Sequence, residues 1–269
     1  MSADSEDDLL EQAYERGLAA EKAGDLTAAA AAFREVLRLD PEDHGGAAVR
    51  LASIGQGEDP ERAPTAYVTT LFDQNAASFD EILVARLSYE VPKLIAKELA
   101  AAGHGPYGGV LDLGCGTGLV GVALAGQFQQ LVGVDLSEEM LAETDERELY
   151  DQLFIGDVVQ FLEEEEEKFD LVVAADVFPY LGALEAFFAG LKPCLAQGGV
   201  VAFSTETLPE EAFDSRGWKV GDKIRFAHSE SYIKKLLKTH GLELVVFNDV
   251  TVRMDMGLPI PGHLVIARS

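Results

Sequence analysis

VLDLGCGTGLVG, residues 110–121, joins an apolar strand to a glycine-rich loop and then to the start of a helix. Glycine lets the backbone approach a ligand closely and adopt dihedral angles that other residues avoid. The stretch therefore predicts a ligand-binding loop between a buried strand and a helix. Two patterns overlap in it: residues 116–121 match G-x-G-x-x-G, and residues 114–118, GCGTG, follow directly on Asp112 and Leu113.

The G-x-G-x-x-G pattern is typical of dinucleotide sites, which place a pyrophosphate at the helix N-terminus. Asp112 lies in the apolar strand just before the loop, and its carboxylate would repel a phosphate. The acid instead favours a ligand with a positively charged ammonium group nearby. The dinucleotide interpretation is therefore the weaker of the two.

Beyond residue 109, apolar runs alternate with helical stretches, which predicts an α/β fold with a mostly parallel, Rossmann-like sheet covered on both faces. The final part differs. Residues 244–252 and 264–267 are apolar runs joined by a Gly/Pro segment at 257–262, and they predict an antiparallel hairpin on the sheet edge. The parallel strands are expected at residues 110–113, 131–134, 153–155, 171–175 and 200–203.

An acidic residue follows each of three predicted strands. Asp135 ends the second strand, about 20 residues beyond the loop, where an acid commonly binds ribose hydroxyls. Asp157 ends the third strand and is well placed for an adenine amino group, and Asp176 ends the fourth. Ligands of open parallel sheets bind over these strand ends. The pattern predicts an adenosine-like, cationic ligand without a phosphate.

With VLDLGCGTG, LVGVDLS and IGD in this order, the chain from about residue 67 to residue 269 resembles a class I S-adenosylmethionine-dependent methyltransferase. The resemblance implies a seven-stranded sheet, S-adenosyl-L-methionine as cofactor and S-adenosyl-L-homocysteine as product. It requires no metal, and no metal-ligand spacing is visible in the sequence. The implied cofactor-binding residues are Tyr89, Asp112, Gly114, Cys115, Gly116, Gly118, Asp135, Leu136, Met140, Asp157, Val158 and Asp176.

The resemblance also implies which part of the cofactor each group contacts. Asp112 and the loop at 114–118 would hold the amino-acid end, and Asp135 the ribose hydroxyls. Leu136 and Met140 would flank the adenine, whose edge would meet residues 157–158. Cys115, also in the loop, is interpreted as a packing residue and not as a nucleophile.

The N-terminal part predicts a pair of antiparallel helices, because alanines dominate residues 8–43 and Gly24-Asp25 interrupts them. Its glycine, alanine, phenylalanine and proline spacing resembles one tetratricopeptide (TPR) repeat. Followed by YVTTLFDQNAASFDEILVARLSY, it resembles a bacterial group of repeat-fused methyltransferases. One repeat cannot bury its own face. The helices therefore either recruit a protein partner or simply cap the domain.

We predict three parts: a TPR-like helical segment and linker at 1–63, lid or lead-in helices at 64–105, and the cofactor-binding domain at 106–269. Aromatic residues of the second part are candidates for a lid over the site, with ordinary helix packing as the alternative. They are Tyr67, Phe72, Phe79 and Tyr89.

Composition restricts the partners. The formal net charge of −26 disfavours nucleic-acid substrates, whose phosphates such a surface repels. No apolar run reaches the ~18 residues of a membrane span. The acidic N-terminus lacks the pattern of a signal peptide, and two cysteines give no disulfide framework. We therefore expect a cytoplasmic protein without membrane partners.

The sequence predicts methyl transfer to an O, N or S atom of a small-molecule acceptor. A protein acceptor recruited by the TPR-like segment, or a non-catalytic cofactor-binding module, are the alternatives. His228 is the candidate base, because an imidazole accepts a proton near neutral pH, although it could merely support a turn. Arg225 could hold an acidic substrate, and Tyr180 could line the acceptor pocket or pack beneath the lid.

Overall fold

The structure is a computed structural model that describes residues 6–269, except for the side chains of residues 84 and 85. These residues form a nine-stranded sheet with helices on both faces. The strands are β1 (Tyr107–Leu113), β2 (Phe128–Asp135), β3 (Gln152–Ile155), β4 (Phe169–Ala174), β5 (Leu195–Glu206), β6 (Trp218–Val220), β7 (Phe226–His228), β8 (Glu243–Asp255) and β9 (Leu258–Arg268).

The sheet confirms the mostly parallel arrangement. Its order is β3-β2-β1-β4-β5-β7-β6, and β1 pairs in parallel with both β2 and β4. β9 pairs antiparallel with β5 and β8, as the predicted C-terminal hairpin requires. Because strand order reverses at β1, the loops after β1 and β4 leave in opposite directions and open a crevice between them.

Two details differ from the sequence-based expectation. The predicted count of seven strands is not confirmed, because β6 and β7 form a short extra ribbon attached to β5 through the pair Glu206↔Ala227. The hairpin turn lies at residues 256–257, and the Gly/Pro segment continues as β9. Gly262 is required there, since a Cβ would lie 2.1 Å from the Thr205 carbonyl oxygen.

The helices are α1 (Glu6–Ala23), α2 (Leu26–Leu39), α3 (Ala47–Ser53), α4 (Thr65–Asp73), α5 (Val91–Ala101), α6 (Leu119–Ala123), α7 (Glu138–Asp145), α8 (Val158–Glu164), α9 (Glu185–Cys194) and α10 (Glu230–Thr239). Side chains at the N-caps Ser137, Asp157 and Ser229 accept hydrogen bonds from the first turns of α7, α8 and α10. These caps fix where the helices begin after β2, β3 and β7.

Both faces of the sheet are buried. Alternate residues of β1 enter different apolar clusters: Leu111 and Leu113 pack on one face, and Val110 on the other. This alternation explains why the parallel strands are apolar almost throughout. Among residues 6–269, none of the helices combines the length and the apolar character that a membrane crossing requires.

α1 and α2 form the expected helical pair and enclose a separate apolar cluster around Phe33, which is fully buried. Gly17 allows the close approach of the two helices, since a Cβ there would lie 2.5 Å from the Phe33 ring. Gly24 has a φ of +77° in the turn, and the Asp25 side chain caps α2. The helical prediction is confirmed for this segment.

The linker after α3 packs on the sheet domain. The Glu61 carbonyl accepts hydrogen bonds from the amides of Gly182 and Ala183, both at 2.9 Å. The Ala63 amide donates to the Tyr180 carbonyl, and Asp59 accepts from the Val220 amide. The linker therefore follows the loop after β4. The domain boundaries at residues 63 and 105 stay predictions.

We predict that Phe33→Ala lowers the free energy of unfolding by about 3–5 kcal/mol, because it leaves a large cavity between α1 and α2. Urea denaturation followed by circular dichroism measures the change. Leu26→Ala, at a side chain that is 40% exposed, is the matched control and should change it little. Equal effects of the two substitutions would mean that Phe33 does not hold the helical pair together.

Candidate functional site

A cavity lies over the carboxyl ends of β1, β2 and β4, where the crevice opens. The empty space in it, including the mouth that is open to solvent, is about 990 Å³. The lining comes from the glycine loop, from the ends of β2 and β3, from the loop after β4, from residues 62–92, and from Arg225.

The glycine loop forms the floor of the cavity. Gly114 has a φ of +66° and Gly118 one of +81°, and both values favour glycine over other residues. A Cβ at Gly114 would also lie 2.6 Å from the Val177 side chain, across the crevice. Cys115 lines the cavity too. Its burial raises the pKa of the thiol, which agrees with a packing role.

Asp135 fixes the loop to the end of β2. Its carboxylate accepts hydrogen bonds from the Gly116 amide at 2.8 Å and the Ser137 amide at 3.0 Å. Burial raises the pKa of Asp135, and the amide hydrogen bonds act in the opposite direction. Each carboxylate oxygen retains a second lone pair, so the group can still accept hydrogen bonds from a ligand. Leu136 lines the wall beside it.

Asp157 and Val158 line the cavity beyond the end of β3, and Arg62 of the linker lies over them. The Arg62 guanidinium forms an ion pair with Asp157 through both of its terminal nitrogens. Burial opposes the charge of Asp157, but Arg62 and the α8 amides outweigh it and lower the pKa. Sequence reasoning missed Arg62, because 95 residues separate it from Asp157.

A third group lines the cavity beyond β4. Asp176 adopts a φ of +61°, which Asp tolerates better than most residues, and its amide donates to the Ser204 hydroxyl. The Arg225 guanidinium stacks 5.0 Å from the Tyr180 ring centre. Its Nη1 lies 3.9 Å from an Asp176 carboxylate oxygen. Behind it, Arg253 forms a buried ion pair with Glu206.

Comparison with known proteins agrees with this geometry. Residues 111–201 match the family model of a methyltransferase domain. The chain therefore contains a methyltransferase domain. The cofactor of such a domain is S-adenosylmethionine. The match covers the strands and loops from β1 to β5 that carry the glycine loop and the three acids.

Individual relatives extend the comparison. The chain is 33% identical to an 18S rRNA (guanine-N(7))-methyltransferase of Bos taurus over 34% of this chain and 36% of that protein. It is 26% identical to a ubiquinone biosynthesis O-methyltransferase of Maricaulis maris over 61% and 72% of the two chains. A solved S-adenosylmethionine-dependent methyltransferase from Clostridium acetobutylicum shares the fold at a TM-score of 0.55, with 20% identity over 74% of this chain and 98% of that one.

The chain thus spans only about a third of the length of the bovine relative. The cavity of the methyltransferase domain nevertheless fits the cofactor. A Cβ at Gly116 would meet only the Phe79 ring, at 3.9 Å, so the loop backbone is open there, and Asp135 has acceptor capacity towards the cavity. Asp135, Asp157 and Asp176 all line the cavity and make its walls acidic, which suits a ligand that carries positive charge.

The structure does not bring Asp112 and Met140 to the cavity. Asp112 is fully buried behind the loop, where it accepts a hydrogen bond from the Tyr150 hydroxyl at 2.6 Å. Its other carboxylate oxygen is buried without a partner, and burial raises its pKa to about 7. Met140 is likewise fully buried. Direct contact of these two residues with the cofactor, which the resemblance implied, does not fit this arrangement.

His228 also lies away from the cavity. Its ring is fully buried between Phe178 and Tyr232, and its Nε2 lies 3.0 Å from the Gly182 carbonyl oxygen. The position in β7, and not over the end of the long strand β5, turns the side chain into the core. Burial lowers its pKa to about 4. The geometry agrees with the structural alternative and gives no contact with an acceptor.

Residues before β1 cover the cavity, and three of the four aromatic lid candidates line it: Phe72, Phe79 and Tyr89. Tyr67 instead packs against the apolar core. Ion pairs and hydrogen bonds that sequence reasoning missed hold this cover to the domain. Thr117 donates to Asp80 at 2.6 Å, and Arg147 binds Asp80 as well. No three metal-ligating side chains group together among residues 6–269.

We predict that His228→Gln reduces the loss of stability in acid. A buried neutral His with a pKa of about 4 resists protonation when folded but not when unfolded, where the pKa is about 6.5. Its contribution is therefore present above pH 6.5 and is lost as the pH falls towards 4, by up to about 3 kcal/mol.

Denaturant unfolding at pH 7, 5.5 and 4.5 measures this effect for the wild type and for His228→Gln. The glutamine amide can still donate to the Gly182 carbonyl, so the hydrogen bond is kept. His104→Gln, at a partly exposed side chain, is the control and should follow the wild type. An unchanged pH dependence in His228→Gln would contradict the buried, neutral state.

We predict that Arg62→Gln destabilises the protein by about 1 kcal/mol at pH 7, since both side chains of the ion pair are partly exposed. Because the pKa of Asp157 is lower in the folded than in the unfolded protein, the ion pair stabilises the fold at pH values above the unfolded pKa of about 4. This contribution is lost as the pH falls through the lowered pKa of the folded protein. The difference from wild type should therefore become smaller in acid. Urea titrations at pH 7 and 3 test it, with Lys234→Gln, at an exposed helical pair, as the control.

Proposed function

We propose that this protein transfers a methyl group from S-adenosylmethionine to an O, N or S atom of a small-molecule acceptor. One observation carries the proposal: a single continuous cavity joins the glycine loop and Asp135 to a wall made by Asp176, Tyr180 and Arg225. The cofactor supplies an activated methyl group. The protein then contributes alignment and exclusion of water.

The cofactor's three parts map onto the cavity in strand order. We assign the amino-acid end to the loop at 114–118, after β1, and the ribose hydroxyls to Asp135, after β2. Leu136 and Val158 would flank the adenine, and Asp157, held by Arg62, would meet its edge. With this assignment, the remaining part of the cavity, beyond β4, would lie next to the transferred methyl group.

A small acceptor fits the cover of the cavity. Phe72 contacts both Phe79 and Tyr180 edge to face, with ring centres 5.8 and 5.3 Å apart. Together with the Thr117–Asp80 hydrogen bond, these contacts hold the cover against the cavity, and a covered cavity suits a compact apolar body better than a polymer. A ubiquinone biosynthesis O-methyltransferase is among the relatives. The rRNA methyltransferase relatives act on RNA, but the net charge of −26 disfavours such a substrate here.

A protein acceptor is the second candidate, and the N-terminal helices favour it. The close packing of α1 on α2, with Gly17 against Phe33, supports the interpretation of this pair as one TPR-like repeat. Leu9, Leu18 and Leu26 of this pair are each at least 36% exposed. We interpret the pair as a repeat-like cap of the domain that could also recruit a partner.

A labelled-methyl assay separates the candidates. The full chain is incubated with methyl-labelled S-adenosylmethionine and a cell extract divided into metabolites, proteins and nucleic acids. Label in extractable small molecules supports the proposal, and label in protein supports the second candidate. Label in nucleic acid would overturn both. Binding of S-adenosylhomocysteine without any transfer would indicate a non-catalytic module.

We predict that Asp135→Ala weakens S-adenosylhomocysteine binding by about 10–150-fold, the equivalent of the ~1.5–3 kcal/mol of hydrogen bonds to a charged group. The variant also loses acceptors for the Gly116 and Ser137 amides, so its fold is checked by circular dichroism. Asp145→Ala, at an exposed position in α7, is the control. Unchanged affinity by calorimetry in a folded Asp135 variant would refute the ribose assignment.

A further inference from the structure

Arg225 is a cation in the cavity wall that lacks a close partner. Its Nη1 is buried and has no hydrogen-bond partner, and the nearest Asp176 oxygen is 3.9 Å away. A guanidinium stays charged at any physiological pH. A buried charged donor without a partner is costly, so this arrangement favours a ligand that supplies one.

The other two arginines near the cavity each hold a carboxylate, although the Arg62 Nε is also buried without a partner. Arg62, which also lines it, holds Asp157 through two nitrogens. Arg253, behind the wall, holds Glu206. Because Glu206 is taken by Arg253, the remaining acid near Arg225 is Asp176, at a distance beyond hydrogen bonding. Of the described residues that line the cavity, Arg225 is thus the arginine without a hydrogen-bonded carboxylate, which leaves its charge for a ligand.

Arg225 lies on the acceptor half of the cavity. The cofactor contacts follow β1, β2 and β3, whereas Asp176 and Tyr180 follow β4. Arg225 immediately precedes β7, whose Ala227 pairs with the last residue of β5, Glu206. The strand order β3-β2-β1-β4-β5-β7 therefore separates Arg225 from the adenosine contacts by several strands.

The surroundings of Arg225 define the rest of the ligand. Tyr180 lies under the guanidinium and contacts Phe72 of the lid edge to face. Apolar side chains that line the same cavity include Val68, Phe72, Val177 and Leu181. A group that binds Arg225 would thus be attached to an apolar or aromatic body.

We propose that the methyl acceptor is an apolar monocarboxylate whose carboxylate is held by Arg225. The guanidinium fork matches a carboxylate in two parallel hydrogen bonds. Asp176, on the same side of the cavity, disfavours a dianion such as a phosphate ester. A carboxylate held in this way is a poor nucleophile, so it serves as the anchor and another atom of the acceptor receives the methyl group.

This inference rests on the proposed function, and the test keeps the two apart. The full chain is saturated with S-adenosylhomocysteine and titrated by calorimetry with two probe pairs, 3-phenylpropionate against 3-phenylpropanamide and hexanoate against hexanamide. We expect each carboxylate to bind at least about tenfold more tightly than its amide, a preference typical of a charge-assisted pair.

Arg225→Met should abolish this preference, and Arg225→Lys should retain part of it, because lysine keeps the charge but not the fork. S-adenosylhomocysteine affinity should stay within about twofold in both variants. Lys223→Met is the matched control. It removes a charge from the same turn, but Lys223 is exposed and pairs with Asp255 at 2.7 Å, so the carboxylate preference should persist.

Three results would overturn the inference. The wild type could bind S-adenosylhomocysteine without preferring carboxylates, or the preference could survive in Arg225→Met. In the third result, Arg225→Met loses S-adenosylhomocysteine affinity while its carboxylate preference is unchanged. The last result would assign Arg225 to the carboxylate of the cofactor itself. A carboxylate preference without methyl transfer in the labelled assay would instead refute the proposed function and leave the anion site standing.

Discussion

The hydrogen bond between the Gly116 amide and the Asp135 carboxylate joins the loop after β1 to the end of β2. β1 has β2 on one side and β4 on the other, so its loop lies where the crevice opens. The loop residues 114, 116 and 118 all have positive φ, and this bond ties the middle one to the neighbouring strand. The amides of Gly114 and Cys115 add two more bonds to the same strand, both to the Val134 carbonyl, so the cavity floor is built on β1 and β2 together.

Charge around the cavity is arranged in pairs, with one exception. Asp157 is matched by Arg62, and Glu206 by Arg253. Asp135 is matched by backbone amides. Asp176 and Arg225 are adjacent but too far apart for a hydrogen bond. In a partly buried site, unmatched charges are unfavourable in the empty protein and become favourable contacts when a ligand of opposite charge binds. The two loosely paired groups lie on the acceptor half.

The N-terminal part is connected to the site at three points. The linker carbonyl of Glu61 and the amide of Ala63 bond to the loop after β4. Arg62 reaches Asp157, and the cover before β1 binds the glycine loop through Asp80 and Thr117. Residues before β1 therefore contribute a wall and the charge of Arg62 to the cavity. The floor of the cavity belongs to the methyltransferase domain. α3 links this cover to the helical pair, since its Val49 packs on the core of the domain and its Leu51 on the cluster around Phe33.

The sequence by itself determined the parallel sheet, the glycine loop, the acid at position 135 and the C-terminal hairpin, because each depends on neighbours within one strand-loop-helix unit. It did not place His228, Asp112 or Arg62. The local sequence around each of the three is compatible with a binding site. In the structure, however, His228 and Asp112 are buried in the core. Arg62 meets Asp157 only because the linker folds back over the sheet. The direction of a side chain and contacts across 95 residues depend on packing between elements, which has no signature in the local sequence.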